Sequence, residues 1–126
     1  MFKNVILYAD DDPVSCFIVE KVLEKSGYKI IRAINGLEAI QKFELFENEI
    51  DLILMDMQMP VVDGYKATKQ IRKKNSAVPI IALTAFALSG DREKCIECGC
   101  TDYLSKPFNN DQLIKIVNHH LGKLHA

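Results

Sequence analysis

Three aspartates, Asp10, Asp11 and Asp12, follow directly on the apolar stretch Val5–Ala9 and run straight into Pro13. Two carboxylates 4 Å apart repel by roughly 4 kcal/mol at an effective dielectric near 20. Such a run therefore requires open water or a cation. Asp56 stands alone behind another apolar run, in "LILMDMQMP". Thr84 closes "VPIIALT", and Lys106 precedes Pro107 in "DYLSKPF". Carboxylates gathered from two segments would make a hard oxygen site. Mg²⁺ takes one or two such carboxylates together with waters and a phosphate oxygen. An isolated carboxylate beside a metal, here Asp56, can act as a nucleophile and form an aspartyl-phosphate. A phosphoryl group arriving there needs its equatorial oxygens neutralised. The metal can take one, Lys106 a second, and the Thr84 hydroxyl with nearby backbone N–H groups a third.

Each of these residues also has a plainer explanation. Asp12 before Pro13 is a good helix N-cap with proline at N1, and that suffices for Asp12. Asp56 fits a strand-end turn, Thr84 an ordinary strand and Lys106 an ordinary surface. The chemical reading depends on the fold bringing them to one place.

The elements that would do so are legible in the apolar pattern. Short β-rich runs fall at residues 5–9, 28–34, 51–55, 78–83 and 102–105. Longer helical patterns lie between them. The first places Val14, Phe17, Ile18 and Val22 on one face and stops near Gly27, a C′ glycine. The second groups Ala39, Ile40, Phe43 and Phe46. The third starts near Gly64, carries Ala67 and Ile71, and ends in the basic Arg72-Lys73-Lys74, which suits the helix dipole. The fourth runs from about Ser89 to Cys98. The fifth carries the stripe Leu113, Ile116, Val117, His120, Leu121 and Leu124. Strand and helix alternating five times predict an α/β fold, a single doubly wound parallel sheet with helices on both faces. The runs at 52–55 and 79–83 are continuously apolar, as strands buried on both faces should be. In such sheets ligands bind at the strand C-termini. That is where the Asp10–Asp12 run, Asp56, Thr84 and, past the fifth strand, Lys106 would meet.

Composition narrows the classes. The 126 residues are 48% hydrophobic and 26% charged, which suits one globular domain over 1–126. Sixteen basic against 17 acidic residues leave a net charge of −1, so no basic excess argues for nucleic acid. The apolar run near Met1 breaks at Asp10, too soon for a signal peptide or a membrane span, and a cytoplasmic location is expected. Cys95, Cys98 and Cys100 read C-x-x-C-x-C. With no second C-x-x-C pair and Cys16 distant in sequence, reduced thiols are expected rather than zinc. His120 falls on the last apolar stripe and is expected to be partly packed. His119 and His125 are expected to be solvated.

The segments "ADDDP" (9–13), "LMDMQMPVVDG" (54–64), "ALTA" (82–85) and "DYLSKPF" (102–108) resemble those of the response-regulator receiver domains of two-component signalling, over essentially the whole chain. The resemblance implies a flavodoxin-like (βα)5 domain with parallel strand order 2-1-3-4-5. It implies Asp56 as phosphoacceptor, Asp11 as a direct Mg²⁺ ligand, Asp10 holding the ion through water, and the Gln58 backbone carbonyl as a further metal contact. Mn²⁺ or Ca²⁺ could substitute for Mg²⁺. Thr84 and Lys106 would contact the phosphoryl group, Tyr103 would turn inward as Thr84 moves, and Lys106-Pro107 would be a cis peptide. Gln58 and Phe86 are positions where the family varies its dephosphorylation rate. The phrases "MDMQMPVVDGYKATKQIR" and "IIALTAFALSGDREKC" most resemble receivers of hybrid histidine kinases. The implied phosphodonor is a sensor histidine kinase or a histidine-phosphotransfer protein. Output would run through the fourth helix, fifth strand and fifth helix to an unnamed partner or a phosphorylation-dependent dimer, without nucleic-acid contact or membrane insertion.

Other readings make distinct demands. A haloacid-dehalogenase-type phosphohydrolase would use Asp10 as nucleophile, since Asp10 to Val14 satisfies D-x-D-x-[T/V]. It lacks a second acidic pair after Lys106, where Asp111 is alone, and a cap insertion. A flavodoxin-like cofactor site would set a phosphate against three aspartates. An interaction module that had lost phosphorylation would not need Asp11, Asp56, Thr84 and Lys106 together.

Overall fold

The computed structural model describes residues 3–85 and 90–122. Five strands, β1 (Val5–Ala9), β2 (Lys29–Ala33), β3 (Ile50–Asp56), β4 (Ile80–Thr84) and β5 (Asp102–Ser105), form one parallel sheet in the order β2-β1-β3-β4-β5. Helices α1 (Pro13–Lys25), α2 (Gly36–Phe46), α3 (Gly64–Lys74), α4 (Asp91–Cys98) and α5 (Asn110–His120) connect and follow them. This is the expected flavodoxin-like (βα)5 arrangement.

Strand alternation divides the core into two layers. Leu7, Ala9, Ile53, Met55, Ile80 and Ala82 face Ala39 and Phe43 of α2, Ala67 and Ile71 of α3, and Cys95 and Cys98 of α4. Ile6, Tyr8, Leu52, Leu54, Ile81 and Leu83 face Cys16, Val19 and Leu23 of α1, and Leu113 and Val117 of α5. β1, β3 and β4 are buried on both faces, as their unbroken apolar runs require.

Helix ends follow local chemistry. Asn35, Asp63 and Asn109 each accept a hydrogen bond from the backbone N–H three residues on, capping α2, α3 and α5. Gln112 completes a capping box with Asn109. Gly27, φ 93°, follows α1 as the expected C′ glycine. β4 begins at Ile80 rather than at residue 78, because Pro79 has no N–H to donate to a ladder.

One expected face is wrong. On α1 the buried residues are Cys16, Val19 and Leu23. Val14, Phe17 and Ile18 are exposed at 66%, 63% and 52%, with Val22 half-buried. The helix carries apolar residues nearly all round, so period alone does not single out the buried stripe. The buried side is the one packed into the layer of Tyr8, Leu54, Leu113 and Val117, and there the Cys16 thiol donates to the Asp10 carbonyl oxygen at 3.4 Å. The Lys21 ammonium sits 5.4 Å from the centroid of the exposed Phe17 ring. Helix α4 is described from Asp91, and the expected start at Ser89 lies outside the described residues, as do Phe86, Leu124 and His125. No described helix is long and apolar enough to cross a membrane.

Candidate phosphoacceptor and metal site

The C-terminal ends of β1, β3 and β4 and the segment after β5 converge on one edge. Parallel pairing sets β1 beside β3, β3 beside β4 and β4 beside β5, with Asp56 opposite Leu83 and Thr84 opposite Ser105. Lys106 continues from β5 and donates its backbone N–H to the Thr84 carbonyl at 2.7 Å. Its ammonium reaches Asp56 Oδ2 at 3.2 Å and lies 4.0 Å from Asp10 Oδ2. The Lys106–Pro107 peptide is cis.

The three aspartates of the opening run separate into different environments. Asp10 is buried, and both its oxygens are engaged. Oδ2 accepts from the Tyr8 hydroxyl at 2.7 Å, and Oδ1 accepts from the Asp12 N–H at 2.9 Å. Asp11 is exposed. Asp12 is the N-cap of α1, accepting from the Val14 N–H at 3.1 Å and the Ser15 hydroxyl at 2.8 Å. Those bonds, the Ser15 hydroxyl first, hold its carboxyl below the usual range.

Asp56 is 5% exposed. Burial raises its pKa above the ordinary carboxylate value, and Asp10 adds repulsion. The Gln58 N–H, at 3.0 Å from Oδ1, and Lys106 pull it partly back. One carboxylate oxygen each from Asp10, Asp11 and Asp56 lie within 4.8 Å of one another. Asp12, although contiguous in sequence, is not part of this group. Three carboxylates therefore face one ammonium, and the donor set is all hard oxygen, which fits a divalent cation of the magnesium type. Thr84 is 2% exposed at the end of β4. Tyr103 is half-buried on β5, packed against the α2–α3–α4 layer, with the Arg92 guanidinium 6.0 Å from its ring centroid. A groove of about 520 Å³ bordered by Asp10, Ile18, Lys106 and Phe108 opens beside the carboxylates.

The loop after β3 is tightly constrained. A Cβ on Gly64 would come within 2.3 Å of the Asp56 carbonyl oxygen, so only glycine lets α3 start this close to the strand end. Val61 holds φ 71°, a left-handed conformation that costs a β-branched residue about 1–2 kcal/mol.

Two polar partnerships escaped the sequence reading. Tyr8 lies two residues before Asp10 on the same side of the chain; its phenol is fully buried, and burial and the bond to Asp10 push its pKa far up. The i, i+2 spacing was the available signal. His120, partly packed as expected, pairs through Nε2 with Asp102 Oδ2 at 2.8 Å, which no local pattern announces.

Similarity to known proteins agrees with this geometry. The model of the response regulator receiver domain matches residues 6–118. The chain is 38% identical over 124 residues to the polar-differentiation response regulator DivK of Brucella anthropi, covering 97% of this chain and 98% of that one. It is 41% identical to the receiver domain of the sensor histidine kinase PA1611 from Pseudomonas aeruginosa, whose crystal structure holds a magnesium ion in the active-site cleft. That similarity covers 96% of this chain and 99% of the other, with a TM-score of 0.87. A Francisella response-regulator receiver domain is 33% identical, with a TM-score of 0.86 over 96% of this chain and 98% of that one. This chain belongs to the response-regulator receiver-domain family of two-component signalling. It resembles both a response regulator and the receiver of a sensor kinase, as its hybrid-kinase phrases suggested.

Proposed function

We propose that this chain is a phosphoacceptor switch in which Asp56 takes a phosphoryl group from a phosphohistidine, supplied by a sensor histidine kinase or a histidine-phosphotransfer protein. The observation that carries the reading is the pairing of Asp56 with Lys106 inside an excess of carboxylate. An Asp56 oxygen attacks phosphorus, the P–N bond breaks, and the imidazole of the donor leaves with its electron pair. The residues that would hold Mg²⁺ are Asp10, Asp11 and Asp56 with the Gln58 backbone carbonyl; Mn²⁺ or Ca²⁺ has the same oxygen preference. When bound, the ion supplies positive charge to the carboxylates and to a phosphoryl oxygen. Lys106 neutralises a second oxygen, and the Thr84 hydroxyl donates to a third.

The groove beside Lys106 gives a donor side chain room to approach. Reversal of the state is slow hydrolysis: water attacks phosphorus, and the P–O bond to Asp56 breaks to release inorganic phosphate. Thr84 drawn toward the phosphoryl group vacates space that Tyr103 enters, and α4, β5 and α5 then present an altered surface to the output partner or to a second copy. New charge-assisted bonds bias this two-state equilibrium. The arrangement serves signalling rather than turnover of a free substrate. A nucleophilic Asp10 is disfavoured, because the Lys106 ammonium lies 4.0 Å from it against 3.2 Å from Asp56, and Tyr8 covers its Oδ2.

The test is to incubate the chain with Mg²⁺ and acetyl phosphate and to map the acyl phosphate by mass spectrometry. Label on Asp56 that requires Mg²⁺ is expected. Label on Asp10, or label that survives Asp56→Asn, would overturn the reading.

A further inference from the structure

Away from the carboxylates, α4 passes into β5 through Cys98-Gly99-Cys100. Cys98 Sγ and Cys100 Sγ lie 3.7 Å apart, and neither is in a disulfide. Gly99 makes this possible: its φ of 110° reverses the chain, so residues two apart bring their sulfurs face to face. The turn is held from α3, where Arg72 Nε donates to the Gly99 carbonyl at 2.7 Å. A pocket of about 340 Å³ lined by Tyr65, Lys69, Lys94, Glu97 and Cys98 opens beside the pair. Cys100 does not line it. Both thiols are nearly buried, Cys98 at 5% and Cys100 at 8% exposure, and Cys98 is the one that borders the pocket, with two lysines at its entrance.

We propose that Cys98 and Cys100 form a redox-active dithiol, which a hydroperoxide entering by the Lys69–Lys94 pocket converts to an intrachain disulfide.

The chemistry of the two thiols differs in the required sense. In the resting molecule the Cys98 thiol donates to the Cys95 carbonyl at 3.1 Å. Once that proton is lost, a hydrogen bond from the Cys100 thiol holds the thiolate and lowers the Cys98 pKa to about 7 against the opposing effect of burial, and the Lys69 charge helps. A helix C-terminus disfavours a thiolate, so these partners are what make one accessible near neutrality. Cys100 is driven far up, by its partner first and by burial second. Burial also raises Cys95 and Cys16, so neither competes as nucleophile. The Cys98 thiolate attacks one peroxide oxygen and the O–O bond breaks. The departing alkoxide takes a proton from water, leaving Cys98 as a sulfenic acid. Cys100 sulfur then attacks Cys98 sulfur; the S–S bond forms, the S–O bond breaks, and hydroxide leaves with the Cys100 proton as water. Two thiols lose two electrons, and the peroxide gains them. A disulfide spanning one intervening residue is strained, which makes it readily reducible and the modification reversible.

The experiment treats the reduced full chain with equimolar hydrogen peroxide, removes the peroxide, unfolds the protein in guanidinium so that its buried free thiols are blocked with N-ethylmaleimide, and maps the digest by mass spectrometry. The 98–100 peptide should lose both alkylation sites and recover them after dithiothreitol, while Cys16 and Cys95 stay alkylatable. Cys100→Ser should instead accumulate a Cys98 sulfenic acid that dimedone traps. The rate of Cys98 alkylation by iodoacetamide should rise with pH about a midpoint near 7. Four thiols still alkylatable after peroxide, a disulfide that uses Cys95, or a cross-link between chains would each overturn the proposal. The wild-type measurement requires no variant to fold.

Discussion

Among the described residues, two half-buried cations, Arg72 and Lys106, sit in opposite surroundings. Around Arg72, the guanidinium donates to the Gly99, Asn75 and Val78 carbonyls and to the Thr101 hydroxyl, at 2.7, 3.3, 2.6 and 3.1 Å. All of its acceptors are neutral, and together they tie α3 to the entries of β4 and β5. Around Lys106, one ammonium meets the carboxylates of Asp56 and Asp10, with Asp11 within reach of both. The first cluster is satisfied as it stands. The second carries excess negative charge, and burial raises the Asp56 pKa accordingly. Satisfied polar networks fix a fold, whereas uncompensated charge marks a place where something else must bind.

The sharpest way to break this contrast is to neutralise Asp56. Asp56→Asn should abolish Mg²⁺-dependent phosphoryl labelling outright while the protein stays folded by circular dichroism. Arg72→Ala should do the reverse. It strands several carbonyls and should lower unfolding free energy by roughly 2–3 kcal/mol in urea titrations, with Asp56 still labelled in the folded fraction.

A smaller effect concerns pH. The folded-state pKa of Asp56 is raised, so its contribution to stability is fully present below the unfolded value of 3.8 and is lost as pH climbs through the folded value. At pH 7 without divalent metal, Asp56→Asn should therefore raise Tm by a few degrees, and the gain should vanish near pH 3. A gain unchanged across that range would remove the charge argument.

Asp12→Ala gives the smallest expected change. The lost cap should lower Tm by a few degrees at pH 7 and leave labelling intact. Here the sign is opposite: the Asp12 pKa is lowered, so the stability it adds is present above 3.8 and disappears as pH falls through the folded value.

What was legible in the sequence was whatever depends on local period and strand ends. β1 and β5 fall within the expected bounds, and the groups ending the strands meet at one edge because parallel topology requires it. The buried face of α1 was not legible, since a helix apolar nearly all round takes its rotation from the layer it packs against, here Tyr8, Leu54, Leu113 and Val117. Arg72 read as a dipole partner at a helix end, yet two of its acceptors, Gly99 and Thr101, lie 27 and 29 residues away at the passage from α4 into β5. The facing of Cys98 and Cys100 depends on the left-handed Gly99 between them, which the C-x-x-C-x-C spacing alone does not specify.

The most direct test of the unbalanced carboxylate cluster is thermal unfolding at pH 7 with and without millimolar Mg²⁺, comparing the wild type with Asp11→Ala. Asp11 is exposed, so its loss leaves the fold intact. Mg²⁺ should raise the Tm of the wild type and of Asp12→Ala, and leave Asp11→Ala unmoved. An equal rise in Asp11→Ala, or none in the wild type, would contradict the assignment of this cluster as a cation site.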